Sequence, residues 1–292
     1  MTQEVGSAGV RVAGEAEGPR PERPGWLQRF RIPLAIAVLV GWVLVTALTP
    51  SRASRSGNFI EALMAGPQWG FLAAGIFLAV VAVAVRWGDL GFNLPTPAGS
   101  LKLLWLPGLY LVVFALADIG AVVAFGPPPV SVVGFLLLNT VLVGFSEETM
   151  FRGVLFSALL TRLRPGLAIS VTTLLFGLAH LLNAAAVGSW RIAAAQAVAA
   201  AMSGLVFIAM RVRTGSLLPA IVYHAAWDFG SLLAISRVLS GGGPAMGGDE
   251  FGVLATGGEP LVALVAPVLL LLPNFLYALF LLRRREPLPA GG

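Results

Sequence analysis

The sequence predicts an all-α, polytopic membrane protein: a bundle of about eight transmembrane helices with a polar cavity inside the bilayer. Three observations carry this expectation. Of 292 residues, 57% are hydrophobic and 11% charged, with a mean hydropathy of +0.87, whereas soluble domains carry about 25% charged residues. The apolar residues fall into runs long enough to cross a hydrocarbon core about 30 Å thick. No polar stretch is long enough for a separate soluble domain, so the chain divides into a polar tail (1–31), one membrane domain (32–285) and a short tail (286–292).

Residues 1–31 are rich in Gly, Glu, Arg and Pro and read as a disordered tail. The first span is expected over Pro33–Thr49, followed by a polar loop, Ser51–Pro67. The second covers Trp69–Val85 and ends at an interfacial Arg86-Trp87 anchor. The third runs from Leu103 to Phe125, contains Pro107 and Asp118, and is stopped by Pro127-Pro128-Pro129. The fourth, Val130–Leu160, is about 46 Å long as a helix, longer than the membrane core, so it must tilt, kink or project. The fifth is expected over Pro165–Ala186 with proline in its first turn. The sixth covers Ile192–Met210, rich in alanine and suited to close packing. The seventh covers Ser216–Ile235, and the eighth runs from Leu261 to Leu282 beyond a glycine-rich loop, Ser240–Glu259.

Eight spans put both termini on one side. With the N-terminus inside, 13 basic residues flank the spans on the inner side and four (Arg52, Arg55, Arg191, Arg237) on the outer. The positive-inside rule then makes the termini cytoplasmic and the protein an integral component of a plasma (inner) membrane. The chain has no cysteine, which removes disulfides, thiolate ligands and cysteine nucleophiles. A net charge of +5, held mostly in short loops, gives no reason to expect a nucleic-acid partner.

The chemistry is concentrated in Gly144-Phe145-Ser146-Glu147-Glu148-Thr149-Met150-Phe151-Arg152-Gly153. Charges at membrane depth are costly and are kept where they face a polar interior and act. Glu148 and Arg152 are i and i+4 on a helix, so they can pair. Glu147, about 100° away, is left without that partner. A structural ion pair with a spare glutamate would account for the same residues, but so dense a cluster favours function.

Both histidines lie in predicted spans: His180 closes Phe176-Gly177-Leu178-Ala179-His180, and His224 shares a helix face with Asp228. Glu147, His180 and His224 would supply two imidazoles and a carboxylate, the donor set of a catalytic zinc with an open position for water. A metal-free site is also coherent, with Glu147 as general base on water and the histidines stabilising the oxyanion. The depths raise a difficulty: Glu147 lies about 25 Å along its helix from Val130, and His180 about 22 Å from Pro165 on the opposite side.

The ordered motifs E-E-x-x-x-R, F-x-x-x-H and H-x-x-x-D on successive membrane helices resemble the CPBP (ABI) family of intramembrane proteases. That family includes the type II CAAX prenyl endopeptidases and bacteriocin-processing or immunity proteins. The resemblance covers about Val130–Ser236. It implies an eight-helix fold, an intramembrane polar cavity and hydrolysis of a peptide bond in a membrane-associated protein or peptide. By position, Glu147 would activate water, His180 and His224 would ligate or polarise, and Glu148 and Arg152 would hold a substrate carboxylate. Asp228 stands where the eukaryotic prenyl-protein enzymes have asparagine; its charge favours ligation of a divalent metal such as zinc over oxyanion stabilisation. Lys102 is the single lysine among 19 basic residues, a bias of GC-rich bacterial genomes, so a peptide precursor or membrane-protein tail is the expected substrate.

Competing readings are a non-enzymatic membrane partner of the bacteriocin-immunity or scaffold type, a transporter using the charges as an ion relay, and a rhomboid-like serine protease built on Ser203 and His224. The last leaves Glu147, Glu148 and His180 without a role, and a small-residue packing face explains Ser203 better.

Overall fold

The computed structural model describes residues 29–49, 59–95, 98–184, 189–239 and 261–283. Within them the regular structure is helical throughout. Helix α1 (Arg31–Leu48) is followed by α2 (Phe59–Ala65), α3 (Trp69–Ala84) and a 3₁₀ turn (Ala98–Leu104) leading into α4 (Trp105–Phe125). Helix α5 (Val130–Glu148) continues through a π-helical stretch (Thr149–Leu155) into α6 (Phe156–Leu159), a single rod of 30 residues. Helix α7 (Pro165–Ala179) ends in a 3₁₀ turn (His180–Asn183), and α8 (Trp190–Thr214), α9 (Leu218–Leu239) and α10 (Leu261–Arg283) complete the bundle.

Local chemistry sets many of these boundaries. Pro107 and Pro219 fall in the first turns of α4 and α9, and Pro165 opens α7, positions where a missing N–H costs nothing. Ser189 caps α8 by accepting the Ile192 N–H, and Gly215, left-handed at φ +65°, closes it. Six helices are long and apolar enough to cross a membrane: α1, α4, the 130–159 rod, α7 with its 3₁₀ turn, α8 and α10. Of the other two expected spans, α3 is shorter, at 16 residues, and α9 is a continuous helix of 22 residues that carries His224 and Asp228. The expected polar loop before α3 contains a helix, α2, and the α-helical part of the fifth expected span, α7, stops at Ala179 and gives way to the 3₁₀ turn. The N-terminal tail up to residue 28 and the glycine-rich loop lie outside the described residues.

The ends expected on the inner side are gathered at one face. Arg31 at the start of α1 pairs with Asp89 beyond α3, and it reaches Ser157 Oγ at 3.3 Å near the end of the 130–159 rod. Trp87 Nε1 donates to the same hydroxyl at 3.0 Å. Arg213 at the end of α8 donates through Nε to the Leu281 carbonyl of α10 at 2.8 Å. These contacts set α1 antiparallel to α3 and to the rod, and α10 parallel to α8.

At the other end, Asn139 ties α2 to α5. Its amide nitrogen donates to the carbonyls of Leu63 and Gly66, both at 2.9 Å, and its oxygen accepts the Gln68 N–H at 2.9 Å. The side chain is wholly buried. Replacing it with leucine strands three backbone groups in an apolar setting, so Asn139→Leu is expected to cost roughly 1–3 kcal/mol per stranded group. Thermal unfolding in detergent checks this, and an unchanged midpoint would contradict it.

Candidate active site

The 130–159 rod changes winding where its charges begin. Glu147 and Glu148 close α5, and Arg152 sits in the π-helical stretch, a departure that tends to mark functional positions. Glu148 and Arg152 are both wholly buried. Arg152 Nη1 donates to Glu148 Oε1 at 3.0 Å, and Nη2 donates to the Gly204 carbonyl of α8 at 3.0 Å. The guanidinium also lies over three rings, with centroids at 4.1 Å (Phe176), 5.1 Å (Phe207) and 5.9 Å (Phe151). Cation–π contacts of this kind strengthen when water is excluded.

His224, on α9, donates through Nδ1 to the same Glu148 Oε1 at 2.9 Å. Its Nε2 faces Asp228 Oδ2 at 3.4 Å and Glu147 Oε2 at 4.0 Å. Asp228 is the nearer of the two, in a contact longer than the Nδ1 bond to Glu148. His180, at the C-terminal end of α7, uses Nδ1 to donate to the Phe176 carbonyl at 2.9 Å. In a neutral imidazole that bond leaves the lone pair on Nε2. The Phe176 ring bridges the two histidines, 4.8 Å from His180 and 6.2 Å from His224.

Glu147 lies within electrostatic range of His180, His224 and Asp228. The three motif helices therefore do bring their polar groups together, and the helices' own lengths allow it. The rod is 30 residues long, exceeding the membrane core, and α7 ends just before His180. Two glycines allow the approach. A Cβ on Gly144 would come within 3.1 Å of the Ile221 carbonyl and the Ala225 nitrogen of α9. One on Gly177 would come within 2.7 Å of the Ala197 carbonyl of α8.

Accessibility is graded across the cluster. Arg152 and Glu148 are closed off, Glu147 is 8% exposed, and the Asp228 side chain is 31% exposed. Glu147 Oε2 has no hydrogen-bond partner among the described residues. The sequence singled out Glu147, Glu148, Arg152, His180, His224 and Asp228, and all six fall in or beside this cluster. Asp118 of α4 lies against Gly230, half a turn beyond Asp228. The Ser203 hydroxyl donates to the Ala200 carbonyl of its own helix at 3.1 Å. Motif reading passed over the Gly204 carbonyl, Phe207, and Ser146, whose hydroxyl accepts the Trp42 indole N–H at 2.7 Å.

A divalent metal would need these donors to converge. They are chemically suitable, and the Glu148 bond to His224 Nδ1 leaves Nε2 to face an ion, but among the described residues no three His, Cys, Asp or Glu side chains are grouped to hold one. In this arrangement the residues do not form a ligand set, and no step is derived through a metal. Removing one partner of a buried ion pair leaves an uncompensated charge. Arg152→Met is thus expected to destabilise the protein by about 3–5 kcal/mol, and adding Glu148→Gln should recover part of the loss. Unfolding of the single and double variants checks this; a stable single variant would show that the pair is not a brace.

Residues 129–230 match a family model described as Type II CAAX prenyl endopeptidase Rce1-like. Comparisons with curated proteins and with solved structures gave no match. The matched stretch is about a third of the chain and contains every residue of the cluster. It supports an intramembrane peptidase of the CAAX-protease kind in a protein whose six apolar helices make it integral to a membrane. Over residues 129–230, then, the chain is similar to the Rce1-like type II CAAX prenyl endopeptidases.

Proposed function

We propose that the protein is an intramembrane endopeptidase in which Glu147 activates water for attack on a peptide carbonyl of a membrane-associated protein or peptide. The observation that carries this reading is the free oxygen of Glu147, nine-tenths buried and 4.0 Å from His224 Nε2. A carboxylate kept from water and without a fixed donor suits a general base. Glu147 takes one proton from the water as its oxygen bonds to the carbonyl carbon. His180 Nε2, left as an acceptor, holds the second hydrogen. His224, with a proton on each ring nitrogen, keeps its Nδ1 bond to Glu148 and donates from Nε2 to the oxygen that becomes negative. The Glu147 proton then passes to the departing amine as the C–N bond breaks.

Glu148 and Arg152 serve this site by position rather than by holding a substrate carboxylate, since Arg152 is enclosed and engaged. Asp228, the most exposed carboxylate of the cluster, lines its accessible side. A peptide precursor or membrane-protein tail fits the site without calling on a prenyl group.

A second reading keeps the divalent metal, zinc by donor chemistry, on Glu147, His180 and His224; the unpartnered Glu147 oxygen and the His180 lone pair favour it. One experiment addresses both. Wild type and Glu147→Gln are purified in detergent and assayed on a labelled peptide, with metal content measured beside His180→Ala and His224→Ala. Glu147→Gln is expected to fold and lose on the order of 10²–10⁴-fold in rate, with cleavage resistant to chelators. Undiminished cleavage would sink the general-base role, and about one zinc per chain, lost in both histidine variants, would establish the metal site.

We also propose the single membrane domain and the inner-membrane orientation with cytoplasmic termini, from the arginine bias and the gathering of those ends at one face. The cysteine-free chain allows single-cysteine labelling. Arg162→Cys should react from the cytoplasmic side and Pro128→Cys from the opposite side; the reverse pattern would invert the topology.

A further inference from the structure

Helix α8 carries none of the three motifs, yet it supplies the face against which His224 lies. Phe207 is 2% exposed, and its ring stacks on the His224 imidazole with centroids 4.6 Å apart and an interplanar angle of 19°. The contacts that Phe176 makes are all edge-on: it meets His180 at 68°, Phe151 at 78°, Phe207 at 75° and His224 at 86°. One parallel stack in a set of perpendicular packings separates Phe207 from a side chain that merely fills volume. The same ring lies 5.1 Å from the Arg152 guanidinium, and one turn earlier Gly204 gives that guanidinium its carbonyl.

An imidazole rotates about χ2, a torsion with broad wells. The Nδ1 bond to Glu148 prevents a flip but tolerates tens of degrees of tilt, because hydrogen bonds weaken steeply only below about 120°. A parallel ring on one face and the edge of Phe176 beside it remove that freedom. Nε2 is thereby aimed between Asp228 and Glu147.

We propose that Phe207 is a positioning residue that sets the plane of the His224 imidazole, and so the direction of its Nε2. This rests on the protease reading for its kinetic consequence but not for its geometry. The chain has two histidines, so selectively labelled protein shows two sets of ring signals by NMR, assigned with His180→Asn. In Phe207→Leu the carbon-bound ring protons of His224 are expected to lose the upfield displacement of the stacked ring and to broaden, while those of His180 stay in place. Peptide cleavage by the same variant should fall in kcat by on the order of 10- to 100-fold, the cost of misplacing a catalytic group, with KM unchanged. Phe207→Tyr, which keeps the ring, should restore both.

Unchanged His224 signals in Phe207→Leu overturn the proposal. So does an equal loss of kcat in folded Leu and Tyr variants. Should the tyrosine variant not fold, the resonances of wild type against Phe207→Leu decide alone. A wild type that cleaves no peptide would count against the protease reading, while the resonance comparison still settles the role of the ring.

Discussion

One oxygen atom holds the site together. Glu148 Oε1 accepts hydrogen bonds from Arg152 within its own helix and from His224 across the gap to α9, at 3.0 and 2.9 Å. Arg152 in turn is pinned to the Gly204 carbonyl of α8. Three helices are joined through this small chain of contacts. A carboxylate and a guanidinium at zero exposure are very costly unless each compensates the other. In an apolar bundle that requirement leaves few arrangements, and the rest of the cluster is built around the one that satisfies it.

Aromatic rings and small residues make the arrangement possible. Rings surround the guanidinium and exclude water, which strengthens the interactions inside. Close approach of the backbones depends on Gly144 against α9 and Gly177 against α8. Membrane helices have no hydrophobic drive toward one another, so such contacts are what hold them in register. The glycines thus act on the geometry between Glu148 and His224 without touching either side chain.

The two departures from regular α-helix on the motif helices fall at the site. The rod becomes π-helical directly after Glu148, and α7 yields to a 3₁₀ turn at His180. Irregular backbone at membrane depth persists where surrounding protein covers it, and the Thr149–Leu155 stretch is buried throughout.

The sequence by itself determined which polar residues gather inside the bundle and which acid is braced. Helical period alone puts Arg152 one turn beyond Glu148 and turns Glu147 away, and that pairing is present. Charges and imidazoles in apolar runs stand out because lipid penalises them, so the membrane class and the motif residues were legible. The tertiary structure alone decided that His224 shares the Glu148 oxygen, that the Phe176 carbonyl fixes the His180 tautomer, and that Phe207 stacks on His224. It also decided where α7 ends and that a short helix, held by Asn139, precedes α3. The physical reason is that a helical repeat specifies neighbours three and four residues apart along one helix. Contacts between helices depend on backbone approach and side-chain direction, which leave no period in the sequence.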